Sequence, residues 1–152
     1  MLLAWICLQN TATAANDFER ANYVVALARS LHEQLDIRGL NAYSPQASIH
    51  LLTIDPSTHK VVGFRTLLGA VYRDLLSVSL QGAKLRQDNA TLEVSETGKV
   101  RDHVIVKGRR TRNLDGSSGR FLWDIAPDGD GQWSIVVEIL EVPKSQPTGG
   151  LH

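Results

Sequence analysis

The sequence has a single cysteine, Cys7, among 152 residues. One thiol closes no internal disulfide, so a small scaffold stapled by bridges is excluded. An excess of charge is lacking too: 16 Lys and Arg balance 16 Asp and Glu, and the isoelectric point is about 7.0. Net charge therefore offers no long-range pull toward nucleic acid or an anionic membrane, and any such attraction has to be local. The apolar run Leu2 to Leu8 is far shorter than the roughly 20 residues that span a bilayer. Catalytic signatures are missing as well. There is no Gly-x-Ser-x-Gly elbow, no phosphate-binding loop and no dinucleotide fingerprint. A Ser-His-Asp triad is recognised by geometry, so its absence as a motif lowers the expectation of an enzyme without removing it.

What is present suits one folded domain. Apolar residues make up 43% of the chain and charged residues 21%, both near globular averages. A chain of this length buries roughly 68–70% of its unfolded surface, enough for a core without metal or disulfides.

Two readings of the N-terminus stand. Leu2 to Leu8 followed by the polar stretch Gln9 to Ala15 resembles an export signal. Ala12-Thr13-Ala14 supplies the small-residue cleavage pattern, so the mature chain begins at Ala15. No Lys or Arg precedes the apolar run, and the rival reading is a buried first helical turn. Lipidation at Cys7 is disfavoured by Ile6, which stands where a small residue is required. The expected organisation is a signal at 1–14, one globular domain at 15–142 and a disordered tail at 143–152, in a periplasmic or secreted protein.

Along the chain, Phe18, Ala21, Val25, Ala28, Leu31 and Leu35 recur at helical spacing, which predicts a core-facing helix from Asp17 to about Ile37, stopped by Gly39. Asn41 to Gln46 reads as a loop around Pro45, and Ala47 to Ile54 as a strand. Asp55-Pro56-Ser57-Thr58 is a turn. Phe64, Leu67, Leu68, Val71, Leu75 and Val78 predict a second amphipathic helix with its stripe toward the core, ending near Gly82. Gly69 and Ala70 are small enough for close approach to a sheet. Short strands are expected at 83–86 and 90–94 with a turn at 96–99, then at 102–112, 120–125 and 132–142. Phe121, Trp123 and Ile125 share one face, and so do Trp133, Ile135, Val137 and Ile139. Pro127 to Gly131 is a hairpin turn. The fold class is α+β: two helices on one face of a mainly antiparallel, meandering sheet, with one strand-helix-strand crossover near 47–86.

Lys107, Arg109, Arg110 and Arg112 form the densest basic cluster and the one candidate anion-binding site. Arg110 and Arg112 share a face, because side chains alternate along a strand. Phosphates or lipid headgroups suit such a patch, although aromatic residues for base stacking are scarce. The alternative is a charged strand that resists edge pairing. Asp128, Asp130 and Gln132 open like a calcium loop, but Ile139 stands where the twelfth-position Glu belongs. Gly116-Ser117-Ser118-Gly119 has the form of a nucleic-acid GxxG loop but joins strands. His32, His50, His59 and His103 lack metal-ligand spacing, though His50 and His59 flank Asp55. Asn89-Ala90-Thr91 is a glycosylation sequon.

Ile49 to Asp55 as a first strand, Phe64 to Leu80 as the following helix and Asp102 to Gly108 as a later strand resemble the FlgO-type domain of flagellar outer-membrane lipoproteins, and more broadly the CsgG periplasmic domain. The chain departs from that pattern in lacking a lipobox. The resemblance implies a non-catalytic envelope assembly role with a protein partner, no nucleic acid and no cofactor. Two other functions remain in view. One is a ligand-binding or enzymatic domain with a pocket over a curved sheet, for which His103, Asp124 and Glu138 are the titratable candidates. The other is an anion or nucleic-acid binder using Lys107 to Arg112.

Overall fold

The computed structural model describes residues 2–145, with side chains from residue 16 onward. Helix α1 covers Leu2–Gln34. A 3-10 helix follows at Ile37–Ala42, capped by the Asp36 carboxylate, which accepts the Arg38 N–H at 3.0 Å. Strand β1 is Tyr43–Ile54, β2 is Val61–Leu68 and α2 is Gly69–Arg86. Strands β3 (Ala90–Val100), β4 (His103–Arg112), β5 (Ser118–Pro127) and β6 (Trp133–Pro143) complete the chain.

The six strands form one sheet in the order β2-β1-β6-β5-β4-β3. Only β1 and β6 run parallel; every other neighbouring pair is antiparallel. The α+β expectation holds: both helices pack on one face of a mainly antiparallel meander. Ala21, Val24, Ala28 and Leu31 of α1, with Tyr72 and Leu80 of α2, share a single core with Ile49, Leu92, Val106, Phe121, Trp123 and Ile135 of the sheet. The register shifts at Thr53/Ile54, Val94/Glu96 and Asp124/Ile125. Each shift marks a bulge or irregularity, where a strand bends locally and its twist increases.

Several expected boundaries move, each for a local reason. β1 begins at Tyr43, inside the expected loop, but its pairing with β6 breaks between Tyr43 and Ser48. Pro45 lies in that gap and has no N–H to give a neighbour. The second helix starts at Gly69 rather than Phe64. Asp55 Oδ1 accepts from Ser57 N at 2.8 Å and Thr58 N at 3.2 Å, and this turn sends residues 61–68 back along β1 as β2. Residues 47–68 are therefore a hairpin, and the crossover runs from β2 through α2 to β3, from one sheet edge to the other. Gly69 makes this turn possible: a Cβ there would collide with the Ser44 carbonyl oxygen of β1.

Helix α2 continues past Gly82 to Arg86, absorbing the strand expected at 83–86, and stops at Gln87 in the left-handed conformation (φ 53°). Of the stripe expected to face the core, only Leu67 packs against it; Phe64, Leu68, Val71, Leu75 and Val78 are exposed. The turn expected at 96–99 is part of β3, and the chain reverses at Arg101 instead, where φ is 57°. The Asp128 carboxylate accepts from Asp130 N and Gln132 N, so the acidic loop is hairpin chemistry, as expected. The export reading of residues 1–14 lies outside the described side chains, and most of the expected tail lies outside the described residues.

Candidate active site: a cavity between helices and sheet

The inner face of the sheet is set by register. Val106 pairs with Trp123, Trp123 with Glu138, and Glu138 with Ile49. These four residues project together toward the helices, and all are buried. In β6 the bulge opposite Asp124/Ile125 changes the alternation, so Ile135 and Glu138 both point inward. The face read from sequence as Val137 and Ile139 is the outer one, half exposed.

Between this face and the two helices lies a cavity of about 380 Å3. Its apolar wall includes Leu31, Leu51, Leu76, Leu80 and Leu140, and its polar wall includes His32, Tyr72, Arg86, Asp88, Arg110 and Arg112. Beneath it runs a continuous hydrogen-bonded chain. Arg110 Nε donates to His32 Nδ1 at 3.4 Å, and His32 Nε2 lies 3.2 Å from the Tyr43 hydroxyl. That hydroxyl donates to Glu138 Oε2 at 2.9 Å, and Trp123 Nε1 donates to the same oxygen at 2.6 Å. Arginine has no acceptor to offer, so its bond to Nδ1 assigns the imidazole proton to Nε2, pointing at Tyr43. Every donor in the chain then aims toward Glu138. The second carboxyl oxygen, Oε1, is buried without a partner.

Titration follows from burial. Burial, helped by the Arg110 charge, lowers the His32 pKa to about 3 and keeps the ring neutral. Burial raises Glu138 above the usual carboxylate range, against the hydrogen bonds from Trp123 and Tyr43 that favour its ionised form. Tyr43 and Tyr72 are pushed well above 10, first by burial and then by the charge of Glu138.

The sheet divides the basic cluster. Arg110 and Arg112 face the cavity, whereas Lys107 and Arg109 face an open groove on the outer surface with Leu52, Leu122 and Ile139. The four do not form one patch. Arg112 is consumed by structure: its guanidinium grips Asp88 through two bonds of 2.6 Å and reaches Asp115 at 2.9 Å. This fork holds the Asp88 carboxyl below its ordinary range. Lys107 lies 3.8 Å from Glu96, and Arg109 donates to Ser118. Arg110 alone of the cluster lines the inner cavity with no carboxylate within ion-pair distance among the described residues. Of the other candidates, His103 and Asp124 pair at 2.7 Å away from the cavity lining, and Glu138 lies beneath it. Among the described residues no three His, Cys, Asp or Glu side chains converge as a metal site; His50 instead bonds Thr66 and stacks on Phe64.

Sequence reasoning missed Tyr72 and His32 as cavity residues and Tyr43 as the link beneath them. A signal existed for their partner: Glu138 is the lone charge in the apolar run from Trp133 to Leu140. A carboxylate in a buried strand requires donors.

No protein-family model and no curated protein sequence matches this chain. Solved structures do. An NTF2-like protein with a cystatin-like fold from Novosphingobium aromaticivorans superposes with a TM-score of 0.60 at 15% identity, covering 95% of this chain and 90% of that one. An NTF2-like protein of unknown function from Shewanella oneidensis gives 0.57 at 14%, covering 82% and 98%. The chain has the NTF2-like fold. An NTF2-like protein from Cytophaga hutchinsonii agrees at 0.52 and 12% identity, covering 80% and 94%. This overturns the resemblance to FlgO and CsgG domains. The strand-helix unit that carried it is a β1-β2 hairpin followed by α2, inside an NTF2-like sheet wrapped on helices. The envelope assembly role loses the footing that the resemblance gave it. No helix among the described residues is long and apolar enough to cross a membrane.

Proposed function

We propose that this NTF2-like domain binds a small, mainly apolar molecule bearing a carboxylate or similar anionic group, in the cavity between α1, α2 and the sheet. Its volume of about 380 Å3 sits at the lower end of ordinary ligand sites, which are apolar clefts with a few fixed polar groups. The observation that carries the reading is Arg110. Arg110 is half-buried in the cavity wall and has no ion-pair partner there among the described residues, which leaves guanidinium donors free for an anion. Its one side-chain partner is the neutral imidazole of His32. An incoming carboxylate would meet two parallel N–H donors in the geometry arginine favours. The leucines would receive the body of the ligand, and Asp88 would keep Arg112 from competing for it.

The test is calorimetric titration with a medium-chain fatty acid and with an aromatic carboxylate, each beside its uncharged methyl ester. The acid is expected to bind at least about tenfold more tightly than its ester, a difference of ~1.4 kcal/mol. Arg110→Met should abolish that preference while leaving ester binding in place. Equal binding of acid and ester by the unaltered protein would sink the proposal, as would no binding of either at millimolar concentration.

A further inference from the structure

The outer face of α2 carries aliphatic side chains that neither the core nor the cavity uses. Leu68 at the N-cap, then Val71, Leu75, Val78 and Leu85, stand 44–88% exposed. They recur three, four or seven residues apart, so they share one side of the helix. The other side is accounted for by Tyr72, Leu76, Leu80 and Ala83, which line the cavity.

Charge sets this part of the chain apart. Between Val61 and Arg86 stand four cations, Arg65, Arg73, Lys84 and Arg86, and a single anion, Asp74, in a chain that is neutral overall. Lys84 and Arg86 bracket Leu85, the most exposed of the five aliphatic residues, and are exposed themselves. Arg65 is exposed on β2, the strand that leads into α2. Arg65 and Lys84 make no ion pair among the described residues. Arg86 reaches only Asp88, at 3.8 Å, a carboxylate that Arg112 already grips at 2.6 Å.

We infer that α2 docks this domain on a bilayer surface that contains anionic lipid. An apolar helix face joined to an excess of Lys and Arg is the chemistry of a helix lying in the plane of such a surface. The helix is 18 residues long and is not apolar enough to cross the bilayer. Its aliphatic side chains enter the acyl boundary, while the arginine and lysine stems lie along it and their charged ends stay at the headgroups. The overall neutrality of the chain gives no long-range pull, so these cations act only close to the surface. The occupant is argued from the side chains present. Contacts between proteins centre on Trp, Tyr, Met and Arg anchors seated in pockets. The stripe is aliphatic throughout and its residues stand proud of the helix, which a fluid acyl layer accommodates without a matching pocket. Docking also sets the cavity wall made by Leu76 and Leu80 on the other side of the same helix, one helix diameter from the lipid. The docking surface itself does not depend on what the cavity binds.

Co-flotation of the full chain with large unilamellar vesicles tests this, with pure phosphatidylcholine beside phosphatidylcholine containing about 30% phosphatidylglycerol. Binding to the anionic vesicles is expected to be at least about tenfold tighter than to the neutral ones, and to weaken by a similar factor between roughly 0.05 and 0.5 M salt. Arg65→Gln combined with Lys84→Gln should remove most of that preference. Val78→Glu should weaken binding to the anionic vesicles at least about tenfold, because a carboxylate would have to enter the acyl boundary. Leu85→Glu is a second variant at the far end of the stripe and should act the same way. Val78 is 82% and Leu85 88% exposed, so circular dichroism and the thermal midpoint without vesicles should be unchanged in both. No binding to anionic vesicles, the result expected if another protein covers the stripe, would overturn the inference. Binding that both glutamate variants leave intact would belong to another part of the chain, such as the apolar run Leu2 to Leu8, and would overturn it as well.

Discussion

The Tyr43 hydroxyl donates to Glu138 Oε2 at 2.9 Å, joining the first strand of the sheet to the last through a bond with no solvent contact. The carboxyl oxygen that accepts it also accepts from Trp123. Tyr43→Phe removes one donor from a buried acid and leaves His32 Nε2 without an acceptor. The expected loss is about 1–3 kcal/mol of unfolding free energy, read from urea denaturation.

Glu138 also sets a pH dependence. Its folded pKa is raised above the unfolded value of 4.5. The folded state therefore holds the proton more tightly. The stabilising contribution is full below pH 4.5 and is lost as pH rises through the folded pKa. Glu138→Gln lacks the titration, so the stability difference between variant and unaltered protein should move in favour of the variant as pH climbs above 4.5. Thermal melts of both proteins in matched buffers check it, and parallel curves would rule it out.

His32 works in the opposite sense. Its pKa falls from 6.5 to about 3 on folding, so the unfolded chain takes up a proton that the folded chain refuses. Stability from this group is present above pH 6.5 and drains as pH falls toward 3, by up to about 1.4 kcal/mol per pH unit. His32→Gln should show a shallower acid limb than the unaltered protein in denaturant titrations between pH 6.5 and 3.

Asp88 separates the two cavity arginines by function. Asp88→Ala frees the Arg112 guanidinium, which is then held by Asp115 alone. Thermal stability should fall, while affinity for a carboxylate ligand should rise, because a second cation becomes available in the same wall. Calorimetry on this variant beside Arg110→Met distinguishes the two arginines.

The export reading makes its own prediction. A cleavable signal at 1–14 gives a mature chain that starts at Ala15 and lacks Cys7. N-terminal sequencing of protein from its native host would show Ala15 first, and a retained Trp5 would count against export.

The sequence carried the sheet well and the helices unevenly. Phe121, Trp123 and Ile125 alternate without interruption, and all three reach the core. In β6 an inserted residue changed the alternation, so Val137 and Ile139, read as sharing a face with Ile135, lie on the opposite one. A bulge leaves no mark in a single sequence because it is set by the partner strand. Residues 61–80 misled for another reason. Their helical stripe is real, but it starts on a strand and continues on the solvent side of α2, and periodicity records a face without saying what covers it. Of the cavity, Arg110 and Arg112 were legible as basic candidates and Glu138 as a titratable one beneath it. Tyr43, His32 and Arg110 come from three separate elements, and nothing local announces that they meet. The basic cluster was read as one patch because strand alternation was applied to two of its members and not to all four.

The single parallel pairing, β1 with β6, ties the N-terminal hairpin to the last strand made. On a ribosome, β1 and β2 emerge early and have no central neighbour until residue 143 is out. Until then the open side of β1 is a bare edge, and the β3-β4-β5 meander waits with another. Shortening the chain before Trp133 would therefore divide the sheet in two instead of trimming its rim.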